Sequence, residues 1–500
     1  MLYLTSSQQQ LNHKQLNSRS MHEEREVNVK RILLSCLLAS VVCTVTFALD
    51  QKSLVGVWNG EVNFSGVKLP LSFNITDTTG ILTATMDSPS QGAFGIPMDS
   101  VKVNGDTLRI VTIGMLGEYK GVVTADGRRL NGTWSQRGMS LELNLEKGEK
   151  AASRAARPQE PKKPYPYIEE EVTFENKKAG AVLAGTFTKP DSGTSFTAVL
   201  LITGSGPEDR DETVFGHRPF LVLADYLTRQ GIAVLRVDDR GIGKSTGSSK
   251  NATSEDFAED VRSGIAYLKT RKCVDPKRIG LIGHSEGGLI APMVAAESPD
   301  VAFIVLMAGP GIPGDTLMKL QGKLIGLAEG GDPKLVEANS RLQEMMFRVV
   351  AEESDTIVAE KKLRQVFKEW SSSLDSNTAK ELGKLDSLQV MMQIKQVMSP
   401  WMKFFLTYDP ISTLKKVRCP VLAINGSKDL QVPPDYNLPP IEQALKAGGN
   451  THYKVVKLDG LNHLFQHCKT GAVTEYGSIE ETFAPEAMEL IASWIKSIGK

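Results

Sequence analysis

One serine in this chain of 500 residues stands where its hydroxyl could be made to react. Gly283-His284-Ser285-Glu286-Gly287-Gly288 follows the apolar run Ile279-Gly280-Leu281-Ile282 and precedes a helical pattern, the strand-turn-helix setting of a nucleophile elbow. Gly283 and Gly287 allow a sharp turn that lifts Ser285 clear of a sheet, with His284 inside it, and the new helix aims unpaired N–H groups at the space alongside. A serine hydroxyl is a weak nucleophile near neutral pH, so a histidine base and an acid must follow in the order Ser, acid, His. Asp429 lies in Asn425-Gly426-Ser427-Lys428-Asp429, after the apolar run Val421 to Ile424. His463 closes Asp459-Gly460-Leu461-Asn462-His463, after Tyr453 to Leu458. Both fall on loops at the C-terminal ends of strands. Asp459 reads as a turn residue, His452 precedes its strand at the wrong edge, and His467 sits a turn beyond His463. An oxyanion hole would take one backbone N–H from Glu286 and one from Thr203-Gly204-Ser205-Gly206-Pro207, where Ser205 and Gly206 both remain open as donors.

These residues need a scaffold, and the hydrophobic pattern supplies one. From residue 168 onward, apolar strand-like runs alternate with helical stretches. Val172 to Phe174 and Leu183 to Thr188 open as a hairpin. Runs at 198–202, 232–237, 279–282, 302–307, 421–424 and 453–458 follow, with helices at 219–229, 255–269, 285–296 and 485–498. Strands buried on both faces and separated by helices specify a mostly parallel α/β sheet. More than a hundred residues between Met307 and Val421 lack a strand signal and carry apolar spacings of three and four, which predicts an inserted helical cap at about 312–400. Met392, Met398, Trp401, Met402 and Phe404 are expected to line a pocket beneath it.

Upstream, residues 49–148 alternate in short segments broken by turn signals, predicting about eight strands in a small all-β barrel or sandwich. Asn104-Gly105, Asp126-Gly127 and Asn131-Gly132 are the expected tight turns. Gly56-Val57-Trp58 resembles the opening of lipocalin-type barrels, with Trp58 and Trp134 read as plugs of the barrel end. Residues 149–167 are polar and Pro-rich, the composition of a semi-extended linker.

Taken together, Gly204-Ser205-Gly206-Pro207, Asp209-Arg210-Asp211-Glu212, His217-Arg218-Pro219-Phe220, Val237-Asp238-Asp239-Arg240-Gly241-Ile242-Gly243-Lys244-Ser245, the elbow and the Asp429 and His463 segments resemble a known family. It is the bacterial α/β-hydrolase esterases of the serine-aminopeptidase-like branch. The resemblance spans about residues 166 to 500. It implies the α/β-hydrolase fold, an eight-stranded sheet with flanking helices and a cap, and carboxylesterase activity on short acyl esters without a cofactor. Members with a similar N-terminal β domain are exported. Asp209, Arg210, Asp211 and Arg240 are expected to clamp loops. Related hydrolases of this fold that act as dehalogenases or epoxide hydrolases carry Asp at the nucleophile and dienelactone hydrolases carry Cys, so serine points to acyl transfer.

Composition narrows the rest. Lys+Arg and Asp+Glu are 58 each, so no net positive field exists to recruit nucleic acid. Ile32 to Phe47 follows Lys30-Arg31 and ends in small residues near Ala48, the pattern of a cleaved export signal within residues 1–48. That predicts a periplasmic or secreted protein without stable membrane insertion, a retained N-terminal anchor being the weaker reading. Cys273, Cys419 and Cys468 fit no zinc motif and cannot form a disulfide framework; no metal is expected. The partner is then a small-molecule ester. An aminopeptidase or amidase could use the same triad, with Glu352, Glu353 and Asp355 in the cap offering charge for a free amine. A non-catalytic lipid- or glycan-binding protein is the third reading. Oligomeric state is not legible.

Overall fold

The computed structural model describes residues 51–64, 67–113, 115–136, 139–149, 155–376, 378 and 387–498. The export segment expected at 1–48, with Cys36 and Cys43, lies outside the described residues.

The first sheet has ten strands: β1 (Gly56–Phe64), β2 (Val67–Thr78), β3 (Ile81–Ser88), β4 (Ala93–Pro97), β5 (Ser100–Asn104), β6 (Thr107–Thr112), β7 (Gly117–Val123), β8 (Arg129–Gln136), β9 (Met139–Glu142) and β10 (Leu145–Gly148). Neighbours pair antiparallel along β4-β3-β2-β1-β10-β8-β7-β6-β5, with β9 on β8. The path curls back on itself where the Met98 N–H, just before β5, donates to the Ala84 carbonyl in β3 at 3.0 Å. Two strands more than expected are present. Ala93–Pro97 escapes a period-two reading because Gly95 (φ +66°) and Pro97 interrupt it, and the last stretch of the domain divides into two short strands, β9 and β10. One expected turn is absent: Asn131-Gly132 lies inside β8, where a Cβ on Gly132 would sit 2.7 Å from the Tyr119 hydroxyl and 2.5 Å from the Lys120 carbonyl oxygen. The glycine makes room for an aromatic core instead of turning the chain. Phe73 meets Tyr119 and Trp134 at ring-centroid distances of 5.5 and 5.9 Å. Buried Trp58 donates its indole N–H to the Leu54 carbonyl at 2.7 Å, so its one polar atom is satisfied.

The second sheet holds β11 (Tyr167–Asn176), β12 (Ala181–Pro190), β13 (Phe196–Ile202), β14 (Ala233–Val237), β15 (Val274–His284), β16 (Phe303–Met307), β17 (Val421–Gly426) and β18 (Tyr453–Leu458), in the order β11-β12-β14-β13-β15-β16-β17-β18. The opening hairpin is antiparallel, and the pairs from β14 to β18 are parallel. Side chains alternate across it: Ala198, Leu200 and Ile202 enter one core, Val199 and Leu201 the other. The first core takes α2 (Ser254–Thr270) and α3 (Glu286–Ala295), through Ala258, Ile265, Ile290 and Val294. The second takes α1 (Pro219–Arg229) and, from the chain's end, Pro485–Ser497, through Phe220, Leu227, Ile491 and Ile495. Each such Val, Leu, Ile or Phe side chain, fully buried, contributes roughly 1.5–3 kcal/mol, so both faces of the sheet must be covered.

The cap comprises α4 (Gly314–Ala328), α5 (Pro333–Glu352), α6 (Thr356–Ser373), α7 (Ser387–Val397) and α8 (Pro400–Thr407). It runs past the expected boundary at 400, because Ser399 starts a new helix by accepting the Met402 N–H on its hydroxyl, with Pro400 at the first position. Met402 and Met398 pack within the cap's own core instead of lining a pocket. Phe404 stacks on Tyr408. Among the five lining residues expected, Trp401 is the one that reaches the elbow. Short α9 (Pro410–Leu414) returns the chain to β17, and α10 (Pro434–Ala447) joins β17 to β18. Sequence reading passed over α10 because Pro439 and Pro440 lie inside it.

The stretch read as a linker is fastened down where it is described. The Arg157 guanidinium donates to the carbonyls of Phe215, Gly216, Gly477 and Ile479. The Gln159 carboxamide accepts from the Thr482 and Phe483 N–H groups and donates to the Phe483 carbonyl. A Cβ on Gly92 would fall 2.3 Å from the Phe215 carbonyl, so the β3–β4 turn abuts the same loop.

Candidate active site

Strand pairing brings the predicted residues to one edge. Ile202 at the end of β13 is paired with Gly283 in β15, which sets the 203–207 loop beside the elbow. Met307 pairs with Ile424, and Gly426 with Leu458, so the loops after β17 and β18 emerge at the same edge.

Ser285 has φ +52° and ψ −116°, a left-handed backbone that a residue with a Cβ adopts only under constraint. Its N–H donates to the Met307 carbonyl at 2.9 Å, and its own carbonyl accepts the Gly288 N–H at 2.9 Å. A Cβ on Gly283 would lie 1.9 Å from the Gly287 carbonyl oxygen, and one on Gly287 2.2 Å from that of Ile202. The turn therefore closes only with glycine at both places. Ser285 itself is partly exposed, and its hydroxyl makes no hydrogen bond among the described residues.

His463 is 4% exposed and its Nδ1 bonds Asp429 Oδ2 at 2.8 Å. Asp429 Oδ1 accepts the Gln431 and Val432 N–H groups at 2.8 and 2.9 Å, which fixes the carboxylate while Oδ2 faces the ring. That pairing puts the proton of a neutral ring on Nδ1 and leaves Nε2 as the basic nitrogen. The rivals do other work. Asp459 accepts the Ser427 hydroxyl at 3.0 Å, His467 bridges Glu481 and Glu486, and His452 contacts Thr451.

Gly204 brings the backbone of this loop up to the serine: a Cβ there would stand 3.4 Å from Ser285 Cβ. Its N–H is taken by Glu212 Oε1 at 3.0 Å. Ser205 and Gly206 follow, exposed and without an acceptor for their N–H groups among the described residues. Behind the loop lies an acidic group. Burial, then Glu212 and Asp239, push the Glu208 carboxyl well above its usual range, and burial raises Asp239 to about 8 although the Glu208 N–H and the Thr203 hydroxyl oppose it.

The loop clamps are as expected. Arg210 forks onto Asp238 at 2.9 and 2.7 Å and reaches Glu171, Asp211 meets Arg236, and Arg240 bonds Asp260 at 2.7 Å. Asp209 Oδ1 accepts the Asp211 and Thr213 N–H groups. In the cap, Asp355 caps α6 by accepting two N–H groups and Glu353 pairs with Lys362, both helix-end roles.

The Glu286 side chain escaped the sequence reading. It is 2% exposed, and its Oε1 accepts the Ser254 hydroxyl at 2.5 Å and the Trp401 indole N–H at 2.8 Å, while Oε2 has no partner. One carboxyl thus joins the elbow, α2 and the cap helix α8. Burial pushes it up to about 7 against those two hydrogen bonds. The unfolded chain ionises it near 4.5, so ionisation costs the folded state more than the unfolded one. Stability from this group is whole below pH 4.5 and falls as pH rises toward 7, by about 3 kcal/mol in total. Glu286→Gln, which stays neutral, should flatten that slope. Urea unfolding at pH 5, 6, 7 and 8 reads it, and parallel slopes in the two proteins would refute the effect.

Residues 218–348 match the family described as "Serine aminopeptidase, S33". The chain is 27% identical over 288 residues to Esterase EstD of Thermotoga maritima, covering 56% of this chain and 58% of that protein. It is 26% identical over 263 residues to an uncharacterized 31.7 kDa protein of Escherichia coli, 51% of this chain and 79% of that one. The chain thus spans little more than half of the first relative's length. Among solved structures, the Pyrococcus furiosus esterase Pf2001 is similar over 69% of this chain and 98% of its own, with a TM-score of 0.40 and 15% identity. The strand order and the elbow are those of an α/β-hydrolase fold preceded by an N-terminal β domain, and residues 218–348 within it are similar to the serine-aminopeptidase family.

Proposed function

We propose that the protein is a serine esterase that cleaves short-chain acyl esters through Ser285, His463 and Asp429. The observation carrying this reading is the strained Ser285 turn opening on the same sheet edge as the buried His463–Asp429 pair. His463 Nε2 takes the hydroxyl proton as Ser285 Oγ adds to the ester carbonyl. The carbonyl oxygen becomes an oxyanion, held by the Glu286 N–H and by that of Ser205 or Gly206. The C–O bond to the alcohol then breaks, and the alcohol leaves with the proton from His463. Water, deprotonated by the same nitrogen, attacks the acyl-enzyme and frees acid and serine. Asp429 stabilises the imidazolium formed in each half. No residue here demands a cofactor.

The family description also supports a second reading, an aminopeptidase using identical groups. Nitrophenyl acetate and butyrate compared with aminoacyl nitroanilides separate the two. Ester turnover at least about 100-fold above anilide turnover is expected, and the reverse order would replace esterase by peptidase. The leader reading makes export the matching proposal for location, and N-terminal sequencing of the expressed protein tests it.

A further inference from the structure

The catalytic loops have to agree in position to within a fraction of an ångström, yet they come from four separated stretches of sequence. Sheet pairing aligns the strands beneath them, not the loops themselves. A single buried carboxylate, with the imidazole it holds, links three of those loops. Glu212 is 3% exposed and sits at φ +53°, a conformation that persists in a non-glycine residue only when its surroundings hold it. Its Oε1 accepts the Gly204 N–H at 3.0 Å and bonds His284 Nδ1 at 2.8 Å. His284 Nε2, on the opposite side of the ring, donates to the main-chain carbonyl of His463 at 2.9 Å. The two imidazoles lie 4.7 Å apart, centroid to centroid.

We propose that Glu212 is a positioning residue of the site: through His284, its carboxylate holds the oxyanion loop, the nucleophile elbow and the loop of His463 in register. This rests on the serine-hydrolase reading above. Both groups facing the His284 nitrogens, a carboxylate and a carbonyl, can only accept, so both nitrogens carry protons and the ring is a cation. Burial opposes that charge, but the Glu212 carboxylate, its hydrogen bond, the His463 carbonyl and Asp429 outweigh it and raise the ring's pKa. Among the described residues, the charged or titratable groups facing His284 are Glu212, His463 and Asp429, and the Glu208 carboxyl, which Glu212 helps to push up, lies beside Glu212. Remove the Glu212 charge and burial, the largest influence on the ring, loses its main opponent, so the ring's pKa falls and the Nε2 proton is given up more readily. A lone pair would then confront the His463 carbonyl, and the link to that loop would break.

Glu212→Gln tests this without altering shape, since the amide oxygen can still accept from Gly204 and from Nδ1. Ester kcat, per active centre titrated with a fluorophosphonate in the full chain, would be compared with the parent protein between pH 6 and 8.5. The ratio of variant to parent is expected to fall at least about tenfold across that range, with KM changing by less than about threefold. Glu212→Ala, which removes the acceptor altogether, is expected to lose about 100-fold in kcat at every pH. A ratio for Glu212→Gln that stays flat with pH overturns the proposal, whatever Glu212→Ala does. Ser285→Ala run alongside keeps the two failures apart: a flat ratio with Ser285 essential removes only the role of Glu212, whereas turnover without Ser285 removes the serine-hydrolase reading itself.

Discussion

Ser285→Ala should abolish nitrophenyl butyrate turnover, with a loss of order 10⁶ in kcat and little change in thermal stability. The loss is large because no neighbouring group among the described residues can stand in for the hydroxyl. His284 has both nitrogens engaged by Glu212 and the His463 carbonyl. Cys468 lies against Gly460, and burial pushes its thiol up to about 11. Stability should hardly move, since Ser285 Oγ makes no hydrogen bond among the described residues and alanine keeps the Cβ that the turn already accommodates. A fluorophosphonate should label the parent protein and not the variant. Equal labelling would place the nucleophile elsewhere.

Asp429→Asn is the second large effect, about 10⁴-fold in kcat. The two backbone N–H groups of Gln431 and Val432 point at Oδ1, so an asparagine would keep its oxygen there and turn its NH₂ toward His463. Nδ1 would then have to accept, the ring proton would move to Nε2, and the nitrogen facing the serine side could no longer take a proton. The fold should persist, because the anchoring bonds to Oδ1 survive. The measurement is kcat at pH 7.5 with circular dichroism as the control. Activity within tenfold of the parent would show that Asp459 or another group orients the base.

Much of the hydrolase sheet was legible because its strands are short apolar runs buried on both faces, a pattern that survives without knowledge of partners. The eight strands, the opening hairpin and the helices at 219, 254, 286 and 485 follow that pattern closely. It failed where residues serve two purposes. Gly132 looks like a turn residue but yields space to Tyr119, and the prolines inside α10 look like breakers but stand in its first two turns. The aliphatic and aromatic residues of the cap were legible as helical but not as lining or core. Trp401 and Met402 are neighbours in α8, and only the rotation of that helix sends Met402 into the cap core and the Trp401 indole to Glu286.

From the chain of residues alone came the α/β class, the elbow around Ser285 and the pairing of Asp429 with His463, because each is encoded locally by a strand, the loop that ends it and the order of the loops. Tertiary structure alone decided that Glu212 and His284 tie three loops together, and that Glu286 reaches Trp401 in the cap. Buried polar contacts between distant segments follow no period along the chain. Their partners are chosen by desolvation: a carboxylate taken out of water must find donors wherever packing happens to bring them.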